Sequence, residues 1–266
     1  MTTCPSGVNY MHLIDHGRNY VEETYKRPFI ERTFRNILSF VLPRPKVFLT
    51  LAILTKFIKP FSFLMPRFLK NSLNLMPDKI PSKKIKTQKL YSPLKGKKIS
   101  RVALLTGCVQ RVISPEINEA TIRLLNRHNV EVVVMPDIDC CGSLNHHLGK
   151  KEKAKFSFVK NIESWHEEYL LNGLDAIISN TSGCGTTLKD YGHIFKNDKE
   201  MKKKAKKISE LTKDITEYLD ENLKLDIKKM KKKNIKLLII LHALCSTVKK
   251  YMINQRNLFL KPEMKY

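Results

Sequence analysis

From about residue 100 onward, short apolar runs alternate with longer stretches in which apolar positions recur at helical spacing. RVALLTG (101–107) is a β-branched and aliphatic run that predicts a strand. PEINEATIRLLNRHN (115–129) predicts a helix, with Pro115 in its first turn and Asn129 as its stop. VEVVVMP (130–136) predicts a second buried strand. KEKAKFSFVKNIESWHEEYLLNG (151–173) places Phe156, Val159, Ile162, Trp165 and Leu170 near one helix face and ends on Gly173. DAIISN (175–180) is a third strand. MKKKAKKISELTKDITEYLDENL (201–223) carries the helical spacing through Ala205, Ile208, Leu211, Ile215 and Leu219, and IKLLIIL (235–241) is a fourth strand. This alternation builds an α/β fold, a parallel sheet flanked by helices.

The first hundred residues follow no such rhythm. YMHLIDHGRNYVEETYKR (10–27) predicts one or two short helices. From about 36 to 80 the chain is rich in Leu and Phe but broken by Pro43, Pro45, Pro60 and Pro66 and by Lys46, Lys56 and Lys59. No uninterrupted run reaches the roughly 20 apolar residues of a membrane-spanning helix. Two readings stay open: short helices packed on a neighbouring domain, preferred because prolines so spaced suit a helix-turn-helix wrap, or basic amphipathic helices in a membrane interface. Residues 79–98 read as an exposed linker with a charge run, placing a domain boundary near 98.

Composition narrows the function classes. The apolar fraction of this 266-residue chain excludes disorder throughout. A net charge of +24 would point to nucleic acid or an anionic membrane. The excess is mostly lysine spread among abundant Asn and Ile, and the runs at 202–207 and 228–233 read as solvated faces, so nucleic acid is not the expected partner. Six cysteines in a chain this long are no disulfide framework, and the N-terminus lacks a secretory pattern. A cytoplasmic, reducing setting is expected, where grouped cysteines bind metal or do redox chemistry.

The predicted strands give those cysteines a common place. Cys108 follows the first strand, Cys140 and Cys141 the second, Cys184 the third and Cys245 the fourth. Ligands of such sheets collect beyond the carboxyl ends of the strands. Adjacent Cys140 and Cys141 can hardly both point into a core, and Gly142 frees the backbone beside a bulky inorganic ligand. Four thiolates suit an iron-sulfur cluster. They also suit zinc, for which the adjacent pair makes a strained chelate. His146 and His147, just past the turn, read as plain loop histidines or as groups tuning a cluster. His242 stands beside Cys245; His12, His16, His128, His166 and His193 show no convergent partner. No phosphate loop, H-E-x-x-H helix or Gly-x-Ser-x-Gly elbow is present. Near the start, Cys4 precedes Pro5, the pair that closes a ferredoxin cluster run.

The strings VALLTGCVQRVISPEINEATIRLLNRHNVEVV, CCGSLNHHLG, SNTSGCGTTLKDYGH and KDITEYL resemble the first cysteine-rich CCG domain of glycolate oxidase iron-sulfur subunits, a domain type shared with the heterodisulfide reductases. TTCPSGV and YMHLIDHGR fit the same family. The resemblance implies a ferredoxin-type remnant over 1–35, a helical, proline-interrupted connector and basic linker over 36–97, a first CCG domain over 98–234, and the start of a truncated second repeat over 235–266. It implies a [4Fe-4S] or related cluster on Cys108, Cys140, Cys141 and Cys184, with Cys4 an orphan ligand and Cys245 opening the second repeat. The C-x-x-C ending of some relatives would put a cysteine at 181, where this chain has Thr181. The implied function is a non-catalytic electron-transfer subunit. It would serve flavin-containing subunits that oxidise glycolate to glyoxylate, passing electrons toward the quinone pool, with peripheral contact at the inner face of the cell membrane. The alternatives are an inactive product of a split or frame-disrupted gene, or a basic scaffold or nucleic-acid-binding protein without a cluster.

Overall fold

The computed structural model describes residues 8–59, 63, 90–93 and 96–223. Cys4, Cys245, His242, the strand expected at 235–241 and most of the linker lie outside the described residues.

Three helices come first: α1 (Tyr10–Thr24), α2 (Phe29–Val41) and α3 (Pro45–Ile58). Pro28 precedes α2 and Pro45 opens α3, where a missing N–H leaves no intrahelical bond unmade. A five-stranded sheet follows, in the order β1 (Leu90–Tyr91), β3 (Val130–Val133), β2 (Ser100–Leu105), β4 (Ala176–Ser179), β5 (Thr212–Asp214). All neighbours pair in parallel except β1, which runs antiparallel to β3 at one edge. The helices after the first strands are α4 (Gln110–Ile113), α5 (Pro115–Arg127), α6 (Ser143–His147), α7 (Lys151–Asn172), α8 (Ser182–Ile194), α9 (Lys202–Leu211) and α10 (Ile215–Asn222). The mixed α/β architecture is the one the alternating pattern predicts.

Strand residues alternate between two cores, as the pleat requires. Ala103, Leu105 and Ile177 face one side, where Phe158, Ile162 and Trp165 of α7, Leu188 of α8 and Ile208 of α9 cover them. Val102, Leu104 and Ile178 face the other, under Ile122 and Leu125 of α5 and Tyr218 of α10. A charged cluster marks the amino ends of the strands: Arg101 pairs with Glu131 and Glu168, and Lys98 reaches Glu131 at 3.2 Å. The cysteines gather at the opposite rim, beyond the carboxyl ends of the strands.

Three details depart from the sequence reading. Residues 201–223 are not one helix, because Thr212 and Lys213 pair with Ile177 and Ile178 as the edge strand β5. Asp214 then restarts the helix with a capping box, accepting from the Thr216 N–H at 2.8 Å while Glu217 accepts from the Asp214 N–H at 3.0 Å. On α7 the buried stripe is Ala154, Phe158, Ile162 and Trp165, whereas Phe156 and Leu170 stand 73% and 68% exposed. Part of the expected linker, Leu90 and Tyr91, is strand β1.

Candidate metal centre

Each cysteine sits where a strand hands over to a helix. After β2 the chain turns through Gly107, at φ +70°, to Cys108. After β3 it reaches Cys140 and Cys141 and turns again through Gly142, at φ +81°, into α6. Cys184 lies in the first turn of α8, directly after β4. None of these four is in a disulfide; Cys140 and Cys141 are buried, and Cys108 and Cys184 half-buried. Their thiols form a continuous line of contacts, Cys108 to Cys140, Cys140 to Cys141 and Cys141 to Cys184.

Backbone donors converge on the sulfurs. Gly142 N–H donates to Cys140 Sγ at 3.4 Å, Ser143 N–H to Cys141 and Val109 N–H to Cys108. These bonds favour thiolate over thiol, as they would favour metal-bound sulfur. Without a cation they do not prevail. Donation of the Cys108 S–H to Cys140, together with burial, holds the Cys108 thiol far above its ordinary range. At Cys140 the bond with Cys108 lowers the pKa, but the bond with Cys141 and burial push it up to about 12. Cys141 is helped by Cys140, yet its contact with Cys184 and complete burial raise it well above the usual thiol value.

The loops carrying these cysteines are fastened on both sides. Arg111 in α4 spans the first two: its Nε donates to Gly107 O at 3.0 Å, and its terminal nitrogens reach Ile138 O at 2.7 Å and Asp139 Oδ1 at 3.1 Å. Behind the Cys140–Cys141 peptide, Asn161 Nδ2 donates to Cys140 O at 2.8 Å and Tyr191 Oη to Cys141 O at 2.7 Å. Asn161 also donates to Tyr191 Oη at 3.0 Å, so the two anchors form one buried unit. A third polar cluster closes the rim: Gln110 Nε2 donates to Asn118 and Asn180 at 2.9 Å each, and Asn180 donates to Asn118 at 2.9 Å. Thr181, where the resemblance would put a further cysteine, donates its hydroxyl to Gln110 Oε1 and joins this amide cluster.

His146 and His147 end α6. Both reach back to α1, where Asp15 accepts from His147 Nδ1 at 2.9 Å and meets His146 Nε2 at 3.3 Å. Burial would raise the Asp15 pKa, but hydrogen bonds from the two imidazoles outweigh it and hold the carboxyl well below the usual range. His12 and His193, which showed no partner in sequence, stack at 3.5 Å between ring centres, and His12 Nε2 meets Asp190 Oδ1 at 2.7 Å. His12, Asp15, His146, Asp190 and His193 line a cavity of about 590 Å3, and no cysteine is among its lining residues. A smaller cavity, about 410 Å3, opens onto Cys140, Asp139 and Asn161 and is the one that bears on the metal chemistry.

Among the described residues no three His, Cys, Asp or Glu side chains converge closely enough to ligate one ion. The thiols meet pairwise instead, Cys108 with Cys140, Cys140 with Cys141 and Cys141 with Cys184, and four thiolates at one rim suit an iron-sulfur group. Two buried thiols, three backbone N–H donors aimed at sulfur and a cavity beside Cys140 make a donor set that fits an iron-sulfur group.

A family model for the cysteine-rich CCG domain matches residues 102–189, from β2 into α8, a span that contains all four sulfurs. Residues 102–189 form a cysteine-rich CCG domain. Over 220 residues the chain is 39% identical to the glycolate oxidase iron-sulfur subunit of Escherichia coli (strain K12), covering 83% of this chain and 51% of that protein. It is 29% identical over 230 residues to the probable glycolate oxidase iron-sulfur subunit of Bacillus subtilis (strain 168), covering 82% and 51%. Lactate utilization protein A of Bacillus thuringiensis (strain Al Hakam) is 27% identical over 125 residues, 47% of this chain and 49% of that protein. The chain thus spans about half the length of the curated relatives it matches. No solved structure matches it. Of the residues that shape the CCG site, Arg111, Asn161 and Tyr191 went unnoticed in sequence, since an Arg on a short helix and an Asn–Tyr pair 30 residues apart carry no periodic signal.

Proposed function

We propose that the chain is an iron-sulfur electron-transfer subunit of a glycolate-oxidising complex. Electrons would arrive from a flavin-containing partner subunit that converts glycolate to glyoxylate and leave toward the quinone pool. The observation that carries the reading is the unbroken line of thiols from Cys108 through Cys140 and Cys141 to Cys184 at the carboxyl rim of the sheet. These four residues would hold the group, of cubane or related type, and the group when bound supplies one-electron transfer.

The chain's own part is to pre-form that site. Arg111 keeps the Cys108 loop against the Cys140 loop and brings a permanent positive charge beside them. The N–H groups of Val109, Gly142 and Ser143 stabilise negative charge on sulfur, which favours the reduced state of a bound centre. Asn161 and Tyr191 fix the peptide between the adjacent cysteines, so reorganisation during electron transfer is small.

Anaerobic reconstitution with ferrous iron and sulfide tests the proposal, read by iron content, visible absorption and EPR of the dithionite-reduced protein. Stoichiometric iron with a reducible chromophore is expected, and Cys141→Ser lowers it. Iron content near zero in protein whose circular dichroism is that of the folded chain would overturn the reading and leave a scaffold role.

A further inference from the structure

Helices α1 and α2 are held to the body of the protein by charge and hydrogen bonds, with almost no apolar burial. α1 buries one residue, Asp15, and α2 one, Ser39. Polar contacts do the holding. His12 Nε2 meets Asp190 of α8 at 2.7 Å, and Asp15 meets His146 and His147 of α6 at 3.3 and 2.9 Å. Glu22 accepts from Arg35 of α2 at 3.1 Å and pairs with Lys150 at 3.4 Å, so it ties the two helices to each other and to the body. Arg35 also donates to Leu148 O at 2.9 Å. Helix α3 is fastened differently: it packs on α4 and buries Pro45, Phe48 and Ala52.

The seam beneath α1 and α2 is also imperfectly filled. The larger cavity takes His12, Asp15, His16 and Asn19 from α1, and the smaller takes Ser39, Pro43 and Arg44 from α2 and the corner after it. Among the described residues five buried side-chain polar atoms make no hydrogen bond, and three belong to this seam: Asn19 Oδ1, Arg35 Nε and Asn145 Oδ1. Water would satisfy such atoms if the seam opened, which offsets part of the cost of opening. Segments with few buried apolar contacts open first, well below the free energy of global unfolding. Behind this seam stand the two most deeply buried thiols. Cys140 lines the smaller cavity, and Cys141 shares a core cluster with Phe158, a wall of the larger one. At 6% and 2% exposure, neither offers its sulfur to an incoming group while the seam is closed.

We propose that α1 and α2 form a strap, hinged at residues 42–44 ahead of the anchored α3, that opens as one piece to expose Cys140 and Cys141 to an incoming group and then closes over them. That this group is iron and sulfide rests on the electron-transfer reading. The opening itself does not, and it is tested in protein free of iron.

The experiment is timed alkylation of the iron-free full chain with iodoacetamide, read by mass spectrometry of tryptic peptides. Cleavage at the intervening Lys and Arg puts Cys108, the Cys140–Cys141 pair and Cys184 on separate peptides, so the half-buried Cys108 and Cys184 serve as internal references. The pair is expected to label slowly, at a rate that scarcely changes in low urea, because opening the strap exposes little apolar surface. Added salt should speed that labelling by weakening the ion pairs. The double variant Asp15→Asn/Glu22→Gln should speed it about tenfold or more, with Cys108 and Cys184 unchanged. Lys213→Ala, in β5, should leave every rate as it is. Circular dichroism checks that each variant is folded, and the salt series tests the same contacts without substitution. One labelling rate for the pair in wild type and double variant and at low and high salt would overturn the proposal. So would a rate that climbs with urea as steeply as global unfolding does. On reconstitution with ferrous iron and sulfide, the double variant should take up iron faster than wild type. Faster labelling with no iron uptake by either protein would uphold the strap and overturn the electron-transfer reading.

Discussion

Replacing Gly142 with alanine tests the geometry of the Cys140–Cys141 turn most directly. Two separate costs meet there. Gly142 has φ +81°, and an L-residue in the left-handed region loses about 1–2 kcal/mol. A Cβ at this position would also stand 2.5 Å from Phe158 Cε1 and 2.7 Å from Phe158 Cδ1, inside any real contact distance. Phe158 cannot swing aside, because its ring is 2% exposed and held by Tyr191 at 4.9 Å, His146 at 5.6 Å and Phe195 at 6.4 Å between ring centres. Forcing extra volume into so closed a position adds about 1–3 kcal/mol. The expected sum is about 2–5 kcal/mol out of a total of roughly 5–15. At an m-value near 2 kcal/mol/M this lowers the urea midpoint by about 1–2.5 M. Gly183→Ala is the matched control: it lies inside α8 with nothing within 4 Å, and should be neutral or stabilising by up to about 1 kcal/mol. In a Phe158→Leu background, which removes Cε1, the steric part of the Gly142→Ala cost should shrink by about 1 kcal/mol or more. The reasoning fails if Gly142→Ala unfolds at the wild-type midpoint, or if its cost is the same in both backgrounds.

Other substitutions probe the fastenings. Arg111→Met removes three hydrogen bonds between the cysteine loops and should cost about 1–3 kcal/mol by urea denaturation, with lower iron uptake on reconstitution. Asn161→Leu leaves Cys140 O without its donor and should cost a similar 1–3 kcal/mol, measured as a drop in thermal midpoint. Asp15→Asn should free α1 from α6, read as faster cleavage within residues 10–24 by a dilute protease. Asp15 has a folded pKa below its unfolded one, so its contribution is complete above about pH 4 and is lost as pH falls further. Wild type and Asp15→Asn should thus differ in stability above about pH 4 and converge as pH falls below it; a gap that widens below about pH 4 would contradict the ion-pair assignment.

Periodicity made the three central strands legible because β2, β3 and β4 are compact aliphatic and β-branched runs between polar turns, and both helices of the first two crossovers end on residues suited to it. Asn129, at φ +60°, is the non-glycine residue with positive φ among the described residues, as a helix stop requires. The same approach missed β5 because Ile215 and Leu219 extend the spacing of Ala205 and Ile208 by chance across a break. The Asp-x-x-Glu pair at 214 and 217 was the signal that a new helix begins there. On α7, Phe156 and Leu170 were assigned to the core by hydrophobicity, although the buried stripe also accepts Asn161 and Glu168, whose polar atoms find partners. The four cysteines could be placed at one rim from strand order alone, since topology fixes which strand ends are neighbours. Arg111, Asn161 and Asp15 could not, because each acts across long stretches of chain and its meaning lies in where another loop arrives.

Those long-range contacts place the cysteine turn between two opposed supports. On one side Arg111 ties Ile138 and Asp139, just before Cys140, to the loop of Cys108. On the other, α6 begins at the residue after Gly142 and ends in His146 and His147, which are held by Asp15 of α1. Close approach continues at Gly149, φ +73°, where a Cβ would meet Arg18 O at 2.9 Å and Glu22 Cβ at 2.8 Å. Lys150 and Lys151 then pair with Glu22 and Glu23 of α1, and Arg35 of α2 reaches Leu148 O. The segment from Cys140 to Lys151 is therefore clasped by the N-terminal helices α1 and α2. Displacement of these helices would pass through a few polar contacts to the peptide carrying two of the four sulfurs. It follows that Asp15→Asn should change more than local proteolysis. In reconstituted protein it should broaden the EPR signal of the reduced centre, whereas Lys213→Ala, at the far edge of the sheet in β5, should leave that signal as it is. Identical spectra from the wild type and the Asp15 variant would mean that the N-terminal helices serve the surface of the protein and not its sulfur site.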